Sequence, residues 1–258
     1  MRKFLPAGFL LLSLSCAANS GGPDAFGYTW KDNNEPGGPA YQWYEISTTG
    51  TQVNGLGDDN FVGPIQIGFQ FRYYWYQESK VWIGSNGYVE FGPGNLAANF
   101  PSIPDPTGVN NYIGGIVSDL TFLDPTNPGK VFYKSLPDSF VVEYQNVPYW
   151  DANPPYYNQA SSNTFEIILN RVDSSITVNF QSYSGTSFSN YTSGIENNIG
   201  NMGLQPLAYQ PPQQAYTLKY YYPINPPAVT DAGVDWNYMD GDGGIFLASQ
   251  GAPYTLVT

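Results

Sequence analysis

The chain has 258 residues, with 9 basic and 21 acidic side chains, a formal net charge of -12 and no histidine. Without an imidazole, Ser-His-Asp and Cys-His catalysis and His-ligated zinc are excluded, and the negative charge makes nucleic acid a poor partner. The 22 Tyr, 15 Phe and 6 Trp, set among 28 Gly and 22 Pro with only 12% charged residues, suit many short strands joined by long surface loops.

The first residues, MRKFLPAGFLLLSLSCAANS, combine a basic start, a short apolar core and a small-residue exit, which predicts a bacterial-style secretory signal over 1–18. The apolar stretch is too short to span a bilayer, and no other segment is long and apolar enough. Two processing routes are open: cleavage after Ala17 or Ala18, or lipidation of Cys16, which would anchor the protein to a membrane. Cys16 is the single cysteine, so no internal disulfide forms.

Further along, Asp58, Asp59 and Asn60 share a Gly-flanked loop. Clustered hard oxygens suit calcium, although the EF-hand spacing is not met and the same residue types are ordinary turn formers. Asp240 and Asp242 in DGDGG raise the same question. In GPIQIGFQFRYYW, Ile65, Ile67, Phe69 and Phe71 alternate with Gln66, Gly68, Gln70 and Arg72, which predicts a half-buried strand. The stretch VWIGSNGYVEFG reads as two strands around an Asn86-Gly87 hairpin turn, both residues tolerating positive φ. A phosphate loop would need Lys-Ser/Thr after the glycines and a helix to follow, and neither is present.

Strands are predicted at Lys130 to Lys134, Phe140 to Tyr144, Thr164 to Leu169 and Ser175 to Phe180, with a hairpin turn at NRVDSS. Glu143 and Glu166 fall on the polar phase of their strands. They read either as solvent-facing residues or as the carboxylate pair of a glycosidase. The Pro-rich piece from Pro223 to Pro227 reads as a linker. The stretch from there to residue 258 is too short to bury its own core and is read as the truncated start of an Ig-like β-domain. The expected fold is all-β: an antiparallel β-sandwich of jelly-roll type over 19–222.

Specific runs occur in one order: GPDAFGYTWKDNNEPGGPAYQW, GLGDDN, WIGSNGYVEFG, SDLTF, VVEYQNVPYW, TFEIILNRVDSSITVNFQ and SGIENNIGNMGLQ. Together they resemble a bacterial extracellular module of surface proteins of the Bacteroidetes type, whose second half is similar to the nidogen-like domain. The resemblance implies a β-sandwich, export, and membership of a larger multidomain protein. It implies no catalytic residues and no defined ligand.

Rings crowd predicted strand ends and loops: Tyr74 and Trp75, Tyr149 and Trp150, Tyr156 and Tyr157, and Tyr220 to Tyr222. A flat ring can stack under a sugar or anchor a protein contact, while the plain alternative is core packing. The loop PYWDANPPYY stands out, because loops on a rigid sandwich are where binding usually sits. The sequon-like Asn190-Tyr191-Thr192 predicts little in a bacterial protein. The expected function is non-catalytic adhesion or recognition of an extracellular glycan or surface protein. A carboxylate-based glycoside hydrolase and a structural spacer are the alternatives.

Overall fold

The computed structural model describes residues 19–97, 102–185, 191–208 and 214–227. The predicted leader with Cys16, Asn190, Asp240 and Asp242, and the expected second domain beyond residue 227, lie outside the described residues. The strands are β1 (Ser20–Gly21), β2 (Thr29–Asp32), β3 (Thr51–Gln52), β4 (Phe61–Tyr73), β5 (Tyr76–Gly84), β6 (Tyr88–Glu90) and β7 (Tyr112–Val117). After these come β8 (Lys130–Ser135), β9 (Ser139–Val147), β10 (Ser162–Asn170), β11 (Ile176–Ser184), β12 (Thr192–Glu196), β13 (Gly203–Ala208) and β14 (Tyr216–Tyr221).

They form two antiparallel sheets, an eight-stranded one in the order β1-β2-β14-β11-β10-β9-β8-β3 and a six-stranded one in the order β13-β12-β7-β6-β5-β4. The expected antiparallel β-sandwich is what the chain forms. Ile83, Val89 and Ile113 from the smaller sheet share one buried cluster with Val142, Ile167 and Val178 from the larger. Tyr144 stacks on Phe165 at 4.5 Å and reaches across the core, its hydroxyl 2.8 Å from the carbonyl oxygens of both Gly84 and Tyr88. That partner is what a buried phenol requires.

The alternation in β4 is as predicted, with Ile67 and Phe71 buried and Gln66, Gly68 and Gln70 exposed. The β10–β11 hairpin also closes as expected, pairing Leu169 with Ile176. The turn at 84–88 differs in detail. Gly84 pairs with Tyr88, which leaves a three-residue loop in which Gly87, at φ 81°, takes the left-handed position and Asn86 does not. This is the hairpin whose last loop residue must be left-handed.

One connection departs from simple hairpins. β2 lies beside one edge of the larger sheet and β3 forms the opposite edge, so residues 39–50 must cross the sheet's outer face. Ile46 from this strap is 3% exposed and packs on Phe132, Val141 and Ile168, a small second core outside the sandwich. The Pro-rich piece is also less free than a linker: Trp75 Nε1 donates to the Pro227 carbonyl at 3.2 Å.

The Gly87 position generates a direct test. A Cβ there would stand 1.9 Å from the Ile116 carbonyl oxygen, against backbone that cannot swing away. Gly87→Ala adds left-handed strain of roughly 1–2 kcal/mol to that collision. Denaturant unfolding is expected to show a loss of at least about 2 kcal/mol, and a change within experimental error would refute this account of the turn.

Candidate functional site

The hairpin turn is the anchor of one end of the sandwich. Ser85 and Asn86 are fully buried. The Asn86 amide nitrogen donates to Asp59 Oδ1 at 2.8 Å and to the Leu96 carbonyl at 2.7 Å, and its oxygen accepts the Leu120 N–H at 3.0 Å. Ser85 Oγ accepts the Asn60 N–H at 3.0 Å, and the Ser85 N–H donates to the Asn60 carbonyl at 2.7 Å. The loops at 55–60 and 118–121 are thereby held against the turn, and a bridge pairs Asp58 with Thr121.

Asp58, Asp59 and Asp119 are brought together as a result, each offering a carboxylate oxygen within 4.8 Å of the others. Asp58 Oδ1 is shielded from water and has no hydrogen-bond donor. Burial and then the Asp59 charge raise the Asp58 carboxyl, while burial and then Asp58 and Asp59 push Asp119 up to about 6. Three close carboxylates, one with an unanswered oxygen, fit the hard-oxygen preference of calcium. Asn60 does not join them. Its Oδ1 accepts the Gly57 N–H and its Nδ2 donates to the Gly55 carbonyl, both at 2.8 Å, so it closes its own turn. The third acid was missed because Asp119 comes from a distant loop, and only the folded hairpin shows the two loops to be neighbours.

Next to this cluster lies the aromatic loop. Trp150 N–H donates to the Asp119 carbonyl at 2.9 Å, and Leu120 bridges to Tyr149. The loop is stiff. Trp150 bridges to Tyr157, Tyr156 N–H donates to the Asn153 carbonyl at 2.7 Å, and the Tyr157 hydroxyl reaches the Thr126 carbonyl at 3.2 Å. It borders a shallow, open hollow of about 270 Å³ lined by Asp151, Asn153, Pro154, Pro155, Tyr157, Asn158 and Gln159. The polar side chains of this lining were not anticipated individually from the sequence.

The six aromatic candidates separate. Tyr156 is 46% exposed, and Trp150 and Tyr157 are half-buried. Tyr149 is buried in the main core, which leaves it no face for a ligand. Tyr74 is likewise a core residue, its hydroxyl 3.1 Å from Asp24 Oδ2. Its neighbour Trp75 packs edge-on against Phe26 at 4.8 Å and is pinned through Pro227. Apolar area explains the burial of Tyr149 and Tyr74: large rings next to a strand contribute most when fully covered.

Glu143 and Glu166 are direct cross-strand partners, but they do not face solvent as their polar phase suggested. Both are 0% exposed. They lie on the outer face of the larger sheet, and the strap covers them. Tyr44 N–H reaches the Glu166 carboxyl at 3.2 and 3.3 Å, and Ile46 N–H donates to Glu143 Oε2 at 3.0 Å. Alternation names the face of a strand and does not tell whether another segment lies over it.

Among families, the one described as NIDO related matches residues 38–231. No curated protein and no solved structure matches the chain. No helix among the described residues is long and apolar enough to cross a membrane.

The acidic cluster predicts a response to calcium. Calcium supplied at about 100 times its Kd stabilises a binding-competent fold by about 2.7 kcal/mol. Added to chelator-treated protein, it is expected to raise the Tm by roughly 5 °C or more. Asp119→Asn should remove most of that rise. A Tm indifferent to millimolar calcium would leave the three carboxyls as a proton-sharing cluster without a metal role.

Proposed function

The chain belongs to the nidogen-related family, a type of module that is typically extracellular, and from that premise we propose that it is a non-catalytic recognition module that binds glycans through the 149–159 loop. The observation that carries this reading is an open hollow in a loop that also carries an exposed ring. Tyr156 projects at 46% exposure from a loop fixed by its own backbone hydrogen bonds. In the hollow Asp151, Asn153, Asn158 and Gln159 supply amide and carboxylate groups, and Tyr157 and Pro155 supply apolar surface.

A sugar presents hydroxyls at its rim and C–H groups on its faces, so it needs both kinds of contact. A concave site with a few convergent polar groups is where small ligands bind, and a preformed loop loses little entropy on binding. The hollow lies just below the usual range for drug-sized ligands, which favours a single ring or a chain end. The net charge of -12 favours neutral or basic sugars over sulfated ones. The reading places the module outside the cell within a larger surface or secreted protein.

A glycan array probed with the whole chain tests the reading, followed by affinity measurements on the best ligand. Tyr156→Ala and Tyr157→Ala are each expected to weaken binding at least tenfold. Tyr156→Ala, being exposed, should leave stability within about 0.5 kcal/mol. Retained affinity in both variants would place the ligand elsewhere, and hydrolysis of a bound polysaccharide by the chain would replace the non-catalytic reading.

A further inference from the structure

The strap and the surface beneath it make a second system, independent of the aromatic loop. A row of polar side chains runs across neighbouring strands of the larger sheet in register: Glu143 on β9, Glu166 on β10, Asn179 on β11 and Thr217 on β14. All four are at most 1% exposed. Thr217 Oγ1 donates to Asn179 Oδ1 at 2.8 Å, and Asn179 Nδ2 donates to Glu166 Oε1 at 2.7 Å and to the Gln42 carbonyl at 2.6 Å. The strap therefore docks through alternate residues: the Gln42 carbonyl, the Tyr44 N–H and the Ile46 N–H.

Three facts bear on the proton state of this row. Directly paired cross-strand residues stand about 4.5–5.5 Å apart at Cβ, so the two carboxyls are close neighbours away from water. Like charges at that range disfavour a second ionisation. Glu143 Oε1 is buried and has no donor, and one proton on the pair is a way to answer it. The strap brings no compensating cation to the pair, since residues 39–50 contain no Lys or Arg. From the strap come Glu45 and Tyr41, both of which act on Glu166 or are acted on by it. From β11 and β14 come Asn179 and Thr217. Lys130 and Lys134 of β8 stand at the register positions flanking Phe132, the partner of Glu143, and Lys219 of β14 is paired with Asp173 at 3.6 Å.

We propose that residues 39–50 form a proton-operated latch: the strap stays closed over the larger sheet while the Glu143–Glu166 pair holds a proton, and opens when that proton is lost. Burial, more than the opposing hydrogen bonds from Asn179 and Tyr44, pushes Glu166 up to about 8, and burial also raises Glu143. With the strap open, both carboxyls are hydrated and return toward the ordinary glutamate value of about 4.3. A carboxyl whose closed-state pKa is raised favours closure fully below its ordinary value. That preference is lost as the pH rises toward the closed-state value. The latch is tight in acid and loosens up to about pH 8, above which no further loosening occurs.

Amide hydrogen exchange on the full chain, corrected for the intrinsic pH dependence of exchange, reads the latch directly. Between pH 5 and 8 the protection of the Tyr44 and Ile46 amides is expected to fall at least tenfold, with an upper limit of about tenfold per pH unit for one proton released. The Ile167 and Val178 amides in the sheet interior should keep theirs. Protection at Tyr44 and Ile46 that does not change with pH, or that falls in step with Ile167 and Val178, overturns the proposal. Glu166→Gln keeps an acceptor for Tyr44 and offers Glu143 Oε1 an N–H, so its profile should be flat. The wild-type slope persisting in Glu166→Gln would also overturn it. Should Glu166→Gln fail to fold, the wild-type profile against its interior amides decides by itself.

Discussion

One buried side-chain amide holds together the end of the sandwich that carries the acidic cluster and the aromatic loop. Asn86 uses both its nitrogen and its oxygen, tying the hairpin tip to Asp59, to the Leu96 carbonyl and to the Leu120 amide. Those partners belong to three separate loops, two of which carry the acids of the cluster. The acidic cluster depends on Asp59 and on the position of Asp119, the neighbour of Leu120. The aromatic loop is in turn bound to Asp119 through Trp150. A buried amide left without partners costs several times what one hydrogen bond contributes, so these loops are joined to one another as well as to the core. The turn is thus structural in role, and its influence on the acidic cluster and the aromatic loop passes through the loops it fixes.

Elsewhere the fold encloses acids. Glu90, Glu143, Glu166 and Glu196 are each at most 1% exposed, and burial raises all four, Glu90 to about 9 and Glu166 and Glu196 to about 8. Several of them answer loop amides: Glu90 takes the Gly94 N–H at 2.8 Å, and Glu196 takes that of Asp105. The formal charge of -12 therefore overstates the negative charge carried near neutrality. Short on cations, with 9 Lys and Arg in the chain, the protein secures irregular segments with protonatable carboxyls where other proteins use ion pairs.

Much of the sandwich was legible in the sequence, because a half-covered strand writes its geometry as alternation. β4 and the β10–β11 hairpin come directly from it, and Asn-Gly marks the turn at 84–88. The strap was not legible. Residues 39–50 have no periodicity, since they cover a sheet face and form no ladder of their own. That gap explains the misreading of Glu143 and Glu166, whose strand phase was right and whose cover was unseen. The aromatic candidates show the same limit. Tyr74 and Tyr156 are the same residue type in similar tyrosine-rich surroundings, and only tertiary packing makes one a core residue and leaves the other exposed. Asp119 required knowing which loops meet, information held by the order of strands in the sheets.

Both ends of the described module lie at one edge of the larger sheet, in the order β1-β2-β14. Phe26 packs against Tyr222 with ring centroids 5.5 Å apart, and Thr29 pairs with Tyr221 at the start of the β2–β14 ladder. Asn19, just ahead of β1, accepts the Asp32 N–H at 3.0 Å, and Ser20 stands opposite Lys31. The described chain therefore enters at the Asp32 end of this ladder and leaves at its Tyr221 end. Tension applied between the two would run along the strands and load their hydrogen bonds together, in shear, so the edge that carries both ends of the module is arranged to resist pulling.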